Sequence, residues 1–93
     1  MKNILHYKIR VHGRVQGVWF RKYTKEAADA FRIYGYVCNE QDGTVYLEAE
    51  GEEGQLVLLL SWLEEKGSPL SSVDRVEWEP GNPEHYDSFE VRN

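Results

Sequence analysis

Helical and alternating periodicities take turns along this chain, and their order leaves a 93-residue protein few folds to choose from. Leu5, Tyr7, Ile9 and Val11 alternate with His6, Lys8, Arg10 and His12, the period-two pattern of a strand with one buried and one open face. Phe20, Thr24, Ala27 and Phe31 then recur at spacings of four, three and four. That spacing predicts an amphipathic helix ending near Arg32 or Ile33. Tyr36 to Asn39 reads as a short strand after Gly35, and Glu40-Gln41-Asp42-Gly43 as a turn with a hairpin signal in Asp-Gly. Thr44 to Glu50 alternates again, with Val45, Leu47 and Ala49 on one face. Gly51 to Gly54 reads as a break. Leu56, Leu59, Leu60 and Leu63 mark a second helix that stops at Lys66-Gly67. Val73, Val76 and Trp78 suggest another strand, Glu79 to Pro83 a loop, and Ser88 to Arg92 a short last strand.

The order β-α-β-β-α-β, plus a short C-terminal strand, predicts an α+β sandwich with both helices on one face of an antiparallel sheet. The ferredoxin-like plan is the natural candidate. Residues 1–93 form one domain, which at this length buries roughly 60–65% of the surface the unfolded chain exposes. No apolar run approaches the ~20 residues of a membrane span, and the N-terminus lacks the apolar stretch of a secretion signal. Cys38 is the single cysteine, which excludes an internal disulfide and agrees with a reducing compartment, so a cytoplasmic location is expected. A net charge of −5 argues against nucleic acid and anionic membranes as partners. It also means that an anionic ligand must be captured by a local positive patch.

Such a patch is legible between the first strand and the first helix, at Val11-His12-Gly13-Arg14-Val15-Gln16-Gly17-Val18-Trp19-Phe20-Arg21. Gly13 and Gly17 let the backbone bend and turn its N–H groups inward. A helix N-terminus follows, and Arg21 sits in its first turn. Inward N–H groups, a helix start and a guanidinium suit a phosphate or similar anion. The spacing is neither G-x-x-x-x-G-K-[ST] nor G-x-G-x-x-G.

Gly13 to Arg21 resembles the phosphate-binding loop of the acylphosphatase family. Gly35-Tyr36-Val37-Cys38-Asn39, followed by Asp42-Gly43-Thr44-Val45 and Glu50-Gly51, resembles that family's second signature, and the order and separation of the two blocks fit as well. The likeness continues through Trp62 to Pro69 and Val73 to Val76 as far as Phe89-Glu90-Val91. It implies the ferredoxin-like fold and a cofactor-free, metal-independent hydrolase acting on small-molecule acyl phosphates. It also implies that Arg21 binds the phosphoryl group and is catalytic, that Asn39 orients the attacking water, and that Gly13, Arg14, Val15, Gln16, Gly17, Val18, Trp19 and Phe20 make the phosphate-binding loop.

The chemistry of these residues suits those roles. Arg21 can grip two phosphoryl oxygens in a planar fork. A cation in a first helical turn opposes the helix dipole, so its placement is unfavourable unless an anion joins it. A plain surface arginine is the bland alternative. Asn39 can accept and donate at once, as a water-orienting group must, although a turn-capping asparagine would look the same. Gln16 reads as a loop brace, and Val15, Val18 and Trp19 as residues that shape the loop. His6, His12 and His85 read as surface residues without metal-ligand spacing. Cys38 reads as a half-buried small side chain. The acidic run Glu48, Glu50, Glu52 and Glu53 reads as a solvated edge. Three positions depart from the family pattern: Arg32, where a glycine is usual, Cys38, and Glu40, whose charge is expected to oppose an anionic substrate. A non-catalytic module that binds acyl or carbamoyl phosphate is the alternative reading. A monomer is expected.

Overall fold

The computed structural model describes residues 3–93. Seven elements follow one another: β1 (Leu5–Arg14), α1 (Phe20–Ala30), β2 (Tyr34–Asn39), β3 (Val45–Gly51), α2 (Glu53–Glu65), β4 (Ser72–Gly81) and β5 (Phe89–Val91). The sheet has the order β4-β1-β3-β2-β5. β1 pairs antiparallel with β3 and β4, and β2 antiparallel with β3. β5 runs parallel to β2, so the sheet is antiparallel through its first four strands and mixed at the last.

One face of the sheet carries the core. Ile9, Val11, Val37, Val45, Leu47 and Ala49 are fully buried beneath Leu56, Leu59 and Leu63 of α2 and Phe20 and Ala28 of α1. The leucine positions of α2 follow the helical spacing that the sequence shows. Both helices therefore lie on this face, and the opposite face is left to Lys8, Arg10, Tyr36, Tyr46 and Glu48.

Several boundaries differ from the sequence reading. Gly35 lies inside β2, at φ 145° and opposite Ala49; a Cβ there would stand 1.8 Å from the Glu48 carbonyl oxygen. It is a point of close strand approach, not a break. α2 starts at Glu53 because Glu52 and Gln55 form a reciprocal capping box, with Gln55 Oε1 accepting from the Glu52 N–H at 3.1 Å. β4 runs on through Glu79, Pro80 and Gly81, which the sequence assigns to a loop. It is an edge strand, so the N–H that Pro80 lacks costs no ladder bond on the open side. A bulge opposite His12 and Gly13 puts an extra residue at Asp74, which brings Val73 and Val76 to the same, core-facing side.

The end of α1 answers the question posed by Arg32. The Ile33 N–H donates to the Ala28 carbonyl at 2.8 Å and the Arg32 N–H to the Asp29 carbonyl at 3.2 Å, the paired bonds of a Schellman turn. Arg32 occupies the left-handed position at φ 59°. The turn closes as a glycine would close it, at a steric cost of about 1–2 kcal/mol. Arg32→Gly is expected to raise stability by about 0.5–1 kcal/mol, the relief less glycine's larger chain entropy. Urea denaturation of the two proteins measures it.

Candidate active site

The chain leaves β1 at Arg14, bends through 15–19, and enters α1 at Phe20. Two residues make the bend possible by taking left-handed backbone, Gly17 at φ 74° and Trp19 at φ 64°. Trp19 is the N-cap of α1 and makes no side-chain capping bond, and the first helical turn contains no acidic residue. From Gln16 to Lys22, no backbone N–H has a hydrogen-bond partner among the described residues; the first helical bond runs from Tyr23 N–H to the Trp19 carbonyl. A succession of free N–H groups at a helix start, with the dipole's positive end behind it, favours an anion.

The loop is held from two sides. Gln16 Nε2 donates to the carbonyls of Glu40 and Thr44, both at 2.8 Å. Those carbonyls belong to the turn that follows Asn39, so the brace expected of Gln16 fixes the loop relative to that residue. The second brace was invisible in the sequence: buried Ser68 donates its hydroxyl to the Val18 carbonyl at 2.6 Å. Nothing in Gly67-Ser68-Pro69 marks that serine as a partner of a loop fifty residues away.

The residues singled out in the sequence divide into three groups. Val15, Val18 and Phe20 point into the core, so only their backbone is available to a ligand. Gly13 and Arg14 are the last residues of β1 and pair with Val73 and Ser72 of β4. A Cβ on Gly13 would lie 2.2 Å from the Ser72 carbonyl oxygen, which accounts for that glycine by strand packing. Arg14 is exposed. Gly17, Trp19, Arg21 and Asn39 line one cleft of about 480 Å³, together with Val15, Phe20, Lys22, Lys25 and Val91. Arg21, at the start of α1, and Asn39, at the end of β2, thus line the same cleft.

Arg21 is half-buried, and its Nη1 donates to the Arg92 carbonyl at 2.9 Å. That bond fixes one edge of the guanidinium and leaves its other donors available. Asn39 follows Val37 by two residues and shares its face, at the strand end where the core gives way to the cleft. Its Oδ1 is buried and has no hydrogen-bond partner among the described residues. A buried acceptor of this kind costs free energy unless a donor such as water meets it.

Among the described residues no carboxylate lines the cleft. Glu40 turns away from it, with Oε1 3.5 Å from Arg10 Nη1 on the open face of the sheet. The repulsion expected of Glu40 toward an anion is therefore offset by Arg10. Cys38 is on that open face too, its Sγ 3.7 Å from a Glu40 oxygen. Burial first, and the Glu40 carboxylate second, push its thiol above the ordinary range, which keeps it protonated and unreactive.

His6 and Glu50 correct the sequence reading. Both were expected at a solvated surface, and both are 2% exposed. β4 and β5 lie at opposite edges of the sheet, so the segment 82–88 must cross it. In crossing, its Glu84 and Tyr86 N–H groups donate to the Glu50 carboxylate, and the Tyr86 ring lies beside His6. His6 Nδ1 is 2.7 Å from Glu50 Oε2 and Nε2 is 2.7 Å from Glu48 Oε1. This network is remote from the cleft. His12 pairs with Glu77, also outside it.

The acylphosphatase family model matches residues 7–91. A curated acylphosphatase from Thermotoga maritima is 42% identical over 85 residues, covering 91% of this chain and 93% of its own. The structure of an acylphosphatase from Coxiella burnetii superimposes with a TM-score of 0.92 at 38% identity, over 97% of this chain and 94% of that one. Full-length HypF in its phosphate- and nucleotide-bound form contains a region that matches all of this chain with a TM-score of 0.91 at 25% identity, yet that region is only 12% of the larger protein.

Proposed function

The chain belongs to the acylphosphatase family, and we propose that it hydrolyses the carboxyl–phosphate bond of small acyl phosphates to a carboxylate and inorganic phosphate. The observation that carries this reading is the convergence of Arg21, Asn39 and loop N–H groups that have no partner among the described residues on one cleft that none of the described carboxylates lines. The loop N–H groups and the Arg21 fork hold the phosphoryl oxygens. Asn39 Oδ1 accepts a hydrogen bond from the water and sets its line of attack on phosphorus. The leaving group is already a weakly basic carboxylate, so no general acid is required. Positioning and charge stabilisation then carry the rate. The water's proton passes to a phosphoryl oxygen of the substrate itself. In this mechanism neither a metal ion nor a protein nucleophile takes part, and activity persists in a chelator.

Asn39→Ala tests the water-orienting role. It is expected to lower kcat by about 10²-fold, the order seen when one preorganised polar group is lost, while KM changes little. A matched rise in KM with kcat retained would assign Asn39 to binding alone. Since this mechanism employs no general acid or base of the protein, the wild-type rate is expected to be flat near neutrality. An inflection near the histidine value of about 6.5 would implicate a base such as His12.

The likeness to part of HypF keeps a binding-only module as the second reading. Phosphate binding by the intact chain without turnover of any acyl phosphate would favour it.

A further inference from the structure

Asn39 ends β2, and the turn 40–44 that follows it returns the chain to β3. From the loop side this turn is held by Gln16. From the open face of the sheet it is held by Arg10, a residue of β1 that does not line the cleft. Arg10 Nη1 donates to Thr44 Oγ1 at 2.8 Å and stands 3.5 Å from Glu40 Oε1 and 4.0 Å from Asp42 Oδ2. Its guanidinium lies over the Tyr46 ring, 5.1 Å from the ring centre, which limits where it can point. Thr44 passes the contact on. Its hydroxyl donates to Asp42 Oδ1 at 2.6 Å, and the same oxygen accepts the Thr44 N–H at 3.0 Å.

Arg10 and Gln16 thus hold one turn by different groups, Arg10 by its side chains and Gln16 by the Glu40 and Thr44 carbonyls. The other parts of the site have anchors of their own. Ser68 holds the Val18 carbonyl of the loop, and the Arg92 carbonyl orients Arg21. Asn39 Oδ1 has no partner among the described residues, so its aim depends on the backbone that carries it. We infer that Arg10 is a positioning residue for the reaction: from the face opposite the cleft, through Thr44 and the turn 40–44, it sets the placement of Asn39 and hence of the attacking water. This rests on the acylphosphatase reading and adds to it a residue that touches neither substrate nor water.

Arg10→Met is made together with Glu40→Gln, so that the Glu40 charge is not left unopposed. The pair is expected to lower kcat for benzoyl phosphate about tenfold, as a misplaced catalytic group does. KM should stay within about twofold, since Arg21 and the loop still bind the phosphate. Thr44→Val removes the hydroxyl between Arg10 and the turn and keeps every charge. It should give the same split, and it carries the test if the paired variant fails to fold. In an Asn39→Ala background both changes should alter kcat by less than about twofold, because the group they place is gone. Lys8→Met, on the same face of the same strand, should leave kcat at its starting value in either background. Wild-type kcat in the folded variants, a loss carried by KM instead, or a loss of equal size with and without Asn39 overturns the role of Arg10, while wild-type turnover upholds the reaction. Absence of benzoyl phosphate turnover by wild type overturns the acylphosphatase reading, and the positioning role with it.

Discussion

Arg21→Ala is expected to lower kcat/KM for benzoyl phosphate by about 10²–10³-fold, the usual cost of removing a preorganised donor from a transition state. Among the described residues of the cleft, the guanidinium alone offers a planar fork for two phosphoryl oxygens, and the Arg92 carbonyl already fixes its orientation. Lysine supplies a charge but no fork, so Arg21→Lys should recover only a small part of the loss. Stability should move the other way. Arg21 stands in the first turn of α1 with no acidic neighbour there, against the positive end of the dipole. Its removal should leave the stability unchanged or slightly raised, by up to about 1 kcal/mol. An inactive variant that is at least as stable as wild type marks a residue retained for chemistry. An active variant that is folded removes Arg21 from the mechanism.

The second large effect concerns stability. His6→Ala removes the ring that buried Glu50 and half-buried Glu48 both face and is expected to cost about 2–3 kcal/mol, the cost of leaving a buried carboxylate short of a hydrogen-bond partner. Against a total of about 5–15 kcal/mol for a small domain, that is a large share. Glu50 then keeps only the Glu84 and Tyr86 N–H groups, and Glu48 only the Tyr36 and Tyr46 hydroxyls. The substitution His6→Leu together with Glu50→Leu should cost less than His6→Ala, because no uncompensated charge is left at position 50. Urea denaturation of the variants measures both.

The same network sets the acid limit of the fold. Burial alone would push the Glu48 and Glu50 carboxyls up. The Tyr46 hydroxyl and His6 for Glu48, and the Glu84 N–H and His6 for Glu50, outweigh it and hold both below the ordinary 4.5. A carboxyl whose folded value is depressed stabilises the fold above its unfolded value and loses that contribution as pH falls through the folded one. Wild-type stability is therefore expected to fall below about pH 4.5 as these two groups protonate. The hydroxyls that serve the carboxylates shift in the opposite sense: burial and Glu48 push Tyr36 up to about 12, so it remains a donor throughout.

What the sequence revealed follows from the range of the interactions involved. The alternation in β1 and β3, the leucine spacing of α2 and the Asp-Gly turn are local patterns, and each stands where it was expected. The loop was legible because its glycines, Gln16 and Arg21 are contiguous. His6 and Glu50 misled for the opposite reason. Their positions on the open face follow from alternation, but their burial depends on residues 82–88 crossing from one sheet edge to the other. No periodicity records that path. Ser68 and Glu40 belong to the same class: the first braces a loop distant in sequence, and the second is offset by an arginine on another strand. Pro80 reads as a loop residue until β4 is known to be an edge.

The most direct test of the account is hydrolysis of benzoyl phosphate by the intact chain in ¹⁸O-labelled water with a metal chelator present. Turnover that continues in the chelator and places the label in inorganic phosphate is the expected result, since water aligned by Asn39 attacks phosphorus. Label in the benzoate, loss of turnover on metal removal, or no turnover at all would contradict it.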